Sequence, residues 1–335
     1  MSDGAPLLSV IVPFGGGHGL PHLVRTLKQQ TIAPGLFEVI LVREIGRDVA
    51  PELFDGCSFR VSITTYERPP GFTGHTAGPM RNVGIRQARA DRVVFIDADC
   101  MLAPTCLARH AAVADDDSAV AICGLARELP ATVPAAQIRG YGHDELWVLA
   151  SRDRREVFVD ETTATWREFY TCNASAPREL VIRAGLFDEA GYRCHDLDLA
   201  YRMHLAGARF RRDLDNAVIH LEHPRSVWFR DDQVKGWSWL ATKHPELRAA
   251  TEDMTVTLRR AKQRAMDQAA ARFAQITRAL PGIRCASTWV LPEGTDPCVA
   301  RDALLGIPFA LIARRGGLEL FLRLEKNCWD YSLLF

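Results

Sequence analysis

The sequence lacks a net charge that could attract a charged partner. Its 41 lysines and arginines balance 41 aspartates and glutamates, which argues against a protein that binds nucleic acid or anionic membranes through bulk charge. It also lacks an apolar run of the roughly 18 residues that cross a bilayer, and a basic segment followed by an apolar one at its beginning. We therefore expect no nucleic-acid partner, no transmembrane segment and a cytoplasmic location.

Several catalytic and metal-binding signatures are also missing. The nine cysteines are odd in number and never spaced as Cys-x-x-Cys, which fits a reducing cytosol better than a disulfide framework or a zinc finger. The absence of His-Glu-x-x-His and Gly-x-Ser-x-Gly weakens zinc-protease and serine-hydrolase interpretations. A glycine cluster at residues 15–19 lacks a following Gly-Lys-Ser/Thr, so we interpret it as permissive backbone beside a nucleotide and not as a P-loop.

Apolar runs and helical spacings alternate along the first part of the chain. They predict strands at 7–12, 37–42, 59–64, 92–96 and 217–221, and helices at 20–30, 82–90, 178–184 and 198–206. Such alternation predicts an α/β fold with a mostly parallel sheet between helices. Ligands of open sheets gather at the carboxyl ends of the strands. From about residue 226 the character changes, and a helical face is predicted over 266–280.

Two aspartates directly follow the predicted strand at 92–96. Asp97 and Asp99 would need a charge partner at that edge of the sheet, and a divalent metal bound to a diphosphate provides one. The alternative is that both aspartates cap the next turn, as aspartate often does. Taken alone, this short motif leaves both interpretations open.

Four further segments stand in a fixed order around this acidic pair. They read SVIVP at 9–13, GPMRNVGI at 78–85, TCNAS at 171–175 and HDLDLAYR at 195–202. In this order and spacing they resemble the inverting GT-A glycosyltransferases called family 2, over about residues 7–225. The resemblance implies a Rossmann-like, mixed, mostly parallel α/β sheet.

The same resemblance implies how the chain is divided. A GT-A catalytic domain is expected over residues 1–225, with a donor half at about 1–100 and an acceptor half at about 101–225. A mainly helical C-terminal extension is expected over 226–335. Its apolar end is expected to dock on its own core, with a homodimer contact or a membrane surface as alternatives.

A metal site follows from the resemblance. Asp97 and Asp99 match the Asp-x-Asp element that holds manganese or magnesium against the nucleotide diphosphate, with Asp99 the more direct ligand. Family members often place a histidine at the position of His220, where it can add a nitrogen ligand. A structural hydrogen bond is the alternative for this histidine, and His223 is the other candidate.

The donor side is implied in the same way, with Arg81 and Asn82 matching an arginine-asparagine pair beside the phosphates. Glu44 stands where the family usually reads the nucleobase with aspartate, but Arg43 departs from that pattern. A UDP-sugar is therefore the expected donor, while Arg43 also fits another base or an extra phosphate. The full predicted donor set is Pro13, Phe14, Glu44, Arg81, Asn82, Asp97, Ala98 and Asn173.

The acceptor side centres on Asp196, which matches the family's general base. A carboxylate there would take the proton of an acceptor hydroxyl, while the metal stabilises charge on the diphosphate; a helix N-cap is the alternative role. His195 replaces the first acid of the family's pair and could hydrogen-bond an acceptor, lower the pKa of Asp196 when protonated, or act as a spacer. Trp237 could stack on an acceptor ring or pack in a core.

These observations predict a metal-dependent, hexosyltransferase-like inverting glycosyltransferase with a nucleotide diphosphate sugar as donor. The acceptor is not predicted. One alternative is a nucleotidyltransferase on the same fold, which would release pyrophosphate. The other is a catalytically silent relative that acts as a binding subunit, which Arg43 and His195 motivate.

Overall fold

The structure is a computed structural model of the 335-residue chain. It describes residues 5–72, 74–112, 119–130, 133, 135–150, 164–190, 192–222 and 229–249, together with the strands named below between residues 284 and 333. The chain divides into two compact units, Met1–His223 and Pro224–Phe335. Each unit is described by itself.

One eight-stranded sheet forms the centre of the first unit. Its strands are β1 (Leu8–Phe14), β2 (Phe37–Glu44), β3 (Arg60–Tyr66), β4 (Arg92–Ile96), β5 (Cys100–Leu102), β6 (Val120–Leu129), β7 (Asn173–Pro177) and β8 (Arg209–Leu221). The helices around it are α1 (Leu20–Leu27), α2 (Ala77–Gln87), α3 (Cys106–Ala111), α4 (Ala135–Gly140), α5 (His143–Trp147), α6 (Arg178–Arg183) and α7 (His195–Leu205). Short 3-10 turns lie at Pro34–Leu36, Pro51–Phe54 and Trp166–Glu168.

The strand order is β3-β2-β1-β4-β7-β6-β8-β5. Four of the seven strand pairings are parallel and three are antiparallel, which confirms the predicted mixed, mostly parallel α/β sheet. The chain builds β2 and β3 on one side of β1 and then crosses to place β4 on the other side. The carboxyl ends of β1 and β4 therefore lie side by side at a topological switch point, where open sheets bind ligands.

Alternation along β1 explains why the strand needs helices on both faces. Val10 and Val12 pack into one apolar cluster with Leu23 of α1. Ile11 belongs to the other cluster, with Ile85 of α2. Successive side chains of a strand point to opposite faces, so a continuous apolar run such as β1 is buried on both sides.

Two helices begin earlier than predicted. α2 begins at Ala77 and not at residue 82, because Pro79 falls in the first turn, where backbone N–H groups have no partner inside the helix. α7 begins at His195 and not at residue 198, since acidic side chains favour a first turn. β8 extends the strand predicted at 217–221 back to Arg209, where it pairs with β6.

The second unit contains helix α8 (Phe229–Lys243), a 3-10 turn at Pro245–Leu247 and two antiparallel sheets. The smaller sheet pairs β9 (Arg284–Cys285) with β10 (Trp289–Val290). The larger one contains β11 (Phe309–Arg314), β12 (Gly317–Leu324) and β13 (Tyr331–Leu333). Among the helices of the described ranges, none has the length and apolar character needed to cross a membrane.

These strands differ from the mainly helical character expected of residues 226–335. In the described part of that segment, leucines at alternate positions of β12 follow the period of two that is typical of strands. Only two residues separate Arg314 from Gly317, so β11 and β12 form a tight hairpin. The helical face predicted over 266–280 lies outside the described residues.

Candidate active site

The glycine-rich loop after β1 rests directly on the acidic loop after β4. A Cβ atom at Gly19 would lie 2.4 Å from Asp99 Cα and 2.6 Å from Asp99 Cβ, so only glycine permits this approach. Gly16 and Gly17 have φ angles of +106° and +113°, which also favour glycine. The glycines thus bring backbone against the Asp97–Asp99 motif at the switch point of the sheet.

Three side chains at this edge can offer ligands to one cation. Asp97, Asp99 and His220 each present a ligand atom, and these atoms lie within 4.8 Å of one another. His220 belongs to β8 beside Cys100 of β5, and its Nε2 lies 3.3 Å from Asp99 Oδ1. Carboxylate oxygens with one imidazole suit Mn²⁺, and Mg²⁺ accepts the carboxylates. The residues present therefore fit the predicted cation, while His223 lies outside the described residues.

Arg81 is buried and bonded to protein groups on two sides. Its Nη2 pairs with Asp97 Oδ1, and its Nη1 donates to His195 Nε2 at 3.0 Å. The guanidinium also lies 5.6 Å from the centroid of the Phe187 ring. The sequence predicted Arg81 beside the phosphates, but with 2% of the residue exposed its observed contact is with Asp97.

The contacts of His195 show its protonation state. Nδ1 lies 3.1 Å from the Tyr192 carbonyl oxygen and therefore carries the proton. Nε2 is then the acceptor for Arg81, and the imidazole is neutral. Burial is the main cause that lowers the pKa of His195; Asp196 opposes this effect and Arg81 adds to it. The interpretation in which protonated His195 acts on Asp196 is therefore not supported.

Asp196 lies in the first turn of α7, one residue from this network. It is half-buried, and its Oδ1 accepts a hydrogen bond from the Leu197 N–H at 2.9 Å. The N-cap residue is Cys194 with φ +70°, so the alternative of Asp196 as N-cap is wrong. Among the described residues, Oδ2 of Asp196 has no hydrogen-bond partner, which leaves this oxygen available for chemistry.

A buried ion pair anchors α7 behind its first turn. Asp198 is fully buried, and its Oδ2 accepts from Arg202 Nη2 at 2.6 Å. The same guanidinium donates to the carbonyls of Ala184 and Leu186, and Leu186 has a φ of +63°. Because a buried charge needs a partner, this pair ties the helix to the preceding loop.

Asn82 forms its hydrogen bonds to protein groups. Its amide nitrogen donates to the Phe187 carbonyl and to Glu189 Oε1, both at 2.9 Å. Its Oδ1 accepts from the Phe187 N–H at 2.9 Å. With 1% of the residue exposed, Asn82 holds the loop before α7 in place. The predicted contact of Asn82 with the nucleotide stays a prediction.

Asn173 is also an interior residue. Its Nδ2 donates to the carbonyls of Leu125 and Asn216 at 2.9 and 3.0 Å, and its Oδ1 accepts from His110 Nε2 at 2.9 Å. His110 Nδ1 lies 3.0 Å from Ser175 Oγ, and burial lowers the pKa of His110 to about 4. β7 lies between β4 and β6 in the middle of the sheet, and the donor contact of Asn173 stays a prediction.

The remaining predicted donor residues lie along the same edge of the sheet. Pro13 and Phe14 end β1 and are buried, whereas Ala98 is half-buried between the two aspartates. Glu44 ends β2, and its Oε1 accepts from Arg68 at 2.8 Å. A Cβ on Gly15 would lie 3.8 Å from the other oxygen of Glu44, so Glu44 borders the glycine-rich loop.

Arg68 was not predicted, although the rule that ligands gather at strand ends points to it, because it follows β3 by two residues. Among the described residues, Arg43 forms no hydrogen bond with Glu44. Its Nη1 donates to the Arg47 carbonyl at 3.0 Å and to Asp48 Oδ1 at 3.3 Å. Trp237 is half-buried on α8 of the second unit, and its acceptor role stays a prediction.

Sequence comparison relates this arrangement to known proteins. The model of the family described as Glycosyl transferase family 2 matches residues 9–165. Validoxylamine A glucosyltransferase of Streptomyces hygroscopicus subsp. limoneus is 27% identical over 245 residues, which are 66% of this chain and 53% of that protein. The uncharacterized glycosyltransferase YfnE of Bacillus subtilis (strain 168) is 25% identical over 210 residues, 50% of this chain and 54% of YfnE. The chain spans about half the length of these curated relatives.

Solved structures show the same fold. The mannosyltransferase PcManGT from Pyrobaculum calidifontis, in complex with GDP-Man and Mn²⁺, has a TM-score of 0.53 at 20% identity, covering 90% of this chain and 79% of PcManGT. S. aureus TarS 1-349 in complex with UDP-GlcNAc has a TM-score of 0.51 at 18% identity, covering 70% of this chain and 65% of that one. At these sequence identities, both comparisons show similarity of fold alone.

Proposed function

Since this chain belongs to glycosyltransferase family 2, we propose that it transfers a sugar from a nucleoside diphosphate sugar to an acceptor hydroxyl, with inversion, by single displacement. The observation that carries the proposal is the cluster of Asp97, Asp99 and His220 at the switch point of the sheet. This cluster is linked through Arg81 and His195 to the helix turn that bears Asp196. The proposed cation site and the proposed base therefore share one hydrogen-bonded framework.

Asp97, Asp99 and His220 would hold the divalent cation. When bound, Mn²⁺ or Mg²⁺ supplies positive charge for the departing diphosphate. Arg81 fixes the orientation of the Asp97 carboxylate, and Gly19 lets the backbone of the glycine-rich loop close over Asp99. These residues would orient the donor and keep the acidic loop from moving during the reaction.

Asp196 would act as the base. Its Oδ1 is held by the Leu197 N–H, so Oδ2 is the oxygen that would take the acceptor proton. As the acceptor oxygen forms its bond to the anomeric carbon, the bond from that carbon to the diphosphate breaks and the proton goes to Asp196. General-base catalysis of this kind contributes about 10²–10⁴-fold.

A UDP-sugar is the proposed donor. Glu44 borders the glycine-rich loop and can accept a hydrogen bond from a uracil imide, while Arg68 balances its charge. Arg43 bonds the turn at residues 47–48, which weakens its suggested role in reading another base. PcManGT was solved with GDP-Man and TarS with UDP-GlcNAc, so GDP-sugars are the alternative to test.

The test of donor class is a thermal-shift screen of UDP-, GDP- and TDP-sugars with and without Mn²⁺. A ligand that binds the folded state stabilises it by RT ln(1 + L/Kd), where L is the free ligand concentration, so at equal concentration a tighter ligand raises Tm more. We expect the largest increase with a UDP-sugar and Mn²⁺ together. No increase with any of these donors would contradict the proposal. Release of pyrophosphate from a nucleoside triphosphate would instead support a nucleotidyltransferase.

The test of the base is Asp196→Asn, with Asp91→Asn as the matched control because Asp91 is exposed before β4. We expect Asp196→Asn to lower transfer by about 10²–10⁴-fold and to keep the donor-dependent increase in Tm. Asp91→Asn should change neither the rate of transfer nor the donor-dependent increase in Tm. Near wild-type transfer by Asp196→Asn would refute the assignment of the base. A wild-type chain that binds donors but neither hydrolyses nor transfers any of them would be a catalytically silent relative.

A further inference from the structure

We infer that His195 is a positioning residue that sets the first turn of α7, and with it Asp196, relative to the Asp97–Asp99 loop. The inference rests on the proposed function, because it is there that Asp196 is the base. It concerns a residue at which this chain departs from the acidic pair of the family it resembles. The bond from Arg81 to His195 Nε2 is the contact that would do the positioning.

The bond joins the buried guanidinium of Arg81 to the first turn of α7. Arg81 is 2% exposed, and its Nε has no hydrogen-bond partner among the described residues. Asp97 and His195 are its two side-chain partners. Losing the His195 acceptor would leave a second buried N–H group unsatisfied, which favours a shift of the guanidinium.

Only a few side chains can replace the imidazole. At Nδ1 it donates to the Tyr192 carbonyl, and at Nε2 it accepts from Arg81. Carboxylates cannot donate and lysine cannot accept, whereas an amide can do both. Phe187 packs edge-on against the ring with centroids 5.8 Å apart, so the ring is fixed in place as well as hydrogen-bonded.

The backbone conformation before α7 makes the position of Asp196 depend on the contacts of His195. Cys194 has φ +70°, a left-handed conformation that is unusual for a residue with a Cβ. The turn is therefore held by its contacts and not by a favoured backbone geometry. Because His195 and Asp196 are neighbours in that turn, a displaced imidazole displaces the base. A misplacement of about 1 Å can lower a rate about 10²-fold.

Two variants separate the Arg81 bond from the rest of the side chain. Gln at position 195 reaches as far as Nε2 and can still accept from Arg81, whereas Asn reaches only as far as Nδ1 and retains only the Tyr192 contact. We expect His195→Asn to lower kcat about 10- to 100-fold, with KM for the donor nearly unchanged. His195→Gln should keep kcat within about threefold of wild type.

The matched control is His204→Asn, since His204 is an exposed histidine on the same helix; it should leave kcat unchanged. Equal kcat in His195→Asn and wild type would overturn the inference, and so would a loss in His195→Gln as large as in His195→Asn. Both variants are polar, and urea unfolding of each checks that a low kcat is not simply a loss of folded protein.

A second readout needs no activity and separates this inference from the proposed function. ¹⁵N-labelled histidine in the wild-type chain should show a signal for a neutral ring at pH 7 with the proton on Nδ1, and His195→Gln should remove that signal. If the signal that His195→Gln removes comes from an Nε2-protonated ring or from an imidazolium, the inference is overturned. If wild type transfers no sugar but shows this signal, the proposed function fails while the contact stands.

Discussion

The contact between Gly19 and Asp99 makes a quantitative prediction about Gly19→Ala. The added Cβ would lie 2.4 Å from Asp99 Cα, and carbon atoms prefer about 3.5–4.0 Å. The glycine-rich loop and the acidic loop must therefore separate by about 1 Å. Overpacking of this kind lowers the free energy of unfolding by about 1–3 kcal/mol. The same shift moves a proposed metal ligand, and we expect transfer to fall about 10²-fold.

Urea unfolding and a Mn²⁺ titration of transfer measure the two effects separately. Gly35→Ala is the control, because a Cβ at Gly35 meets no atom within 4 Å and its φ is not positive; it should change stability by less than about 0.5 kcal/mol. We expect Gly19→Ala to lose stability and to require more Mn²⁺. Wild-type stability and Mn²⁺ dependence in Gly19→Ala would refute the close packing of the two loops.

Two further predictions concern histidines. His220→Ala should raise the Mn²⁺ concentration for half-maximal activity about 10- to 100-fold, with His204→Ala as the unaffected control; an unchanged Mn²⁺ dependence would remove His220 from the site. His110 has its pKa lowered from 6.5 to about 4 by burial, so above pH 6.5 both folded and unfolded chains hold it neutral. As pH falls from 6.5 to 4 the unfolded chain takes up the proton first, and the free energy of unfolding should fall by about 3 kcal/mol. Urea unfolding at several pH values measures this slope, which His110→Gln should flatten; an identical slope in that variant would contradict the assignment.

Local sequence patterns predicted the strands of residues 1–100 well. β1, β2 and β4 are short apolar runs near the centre of the sheet. Apolar and polar residues do not alternate along them, and this pattern predicts strands that are buried on both faces. The position of Asp97 and Asp99 after β4 follows from the same pattern. Their approach to His220 does not, because it depends on the pairing of β5 with β8 between distant segments.

The contacts that sequence reasoning did not find at the site share one physical cause. Asn82 and Asn173 are polar residues in motifs that match the family. The sequence could not show that their side-chain amides form hydrogen bonds to backbone carbonyls inside the protein. Burial of Arg81 was missed for the same reason, since its partners Asp97 and His195 lie 16 and 114 positions away. Tertiary hydrogen bonds decide whether a polar side chain faces a ligand, and residue type alone does not.

The buried polar chain around His110 also bears on how the sheet assembles. Asn173 and Ser175 are two positions apart on β7, so both face the same imidazole. If β7 slipped by one residue against β4 and β6, Ala174 would face His110 and the two polar side chains would enter apolar surroundings. Unsatisfied buried polar groups are costly. This chain of hydrogen bonds therefore discriminates between alternative registers of the one central strand that runs antiparallel to both neighbours.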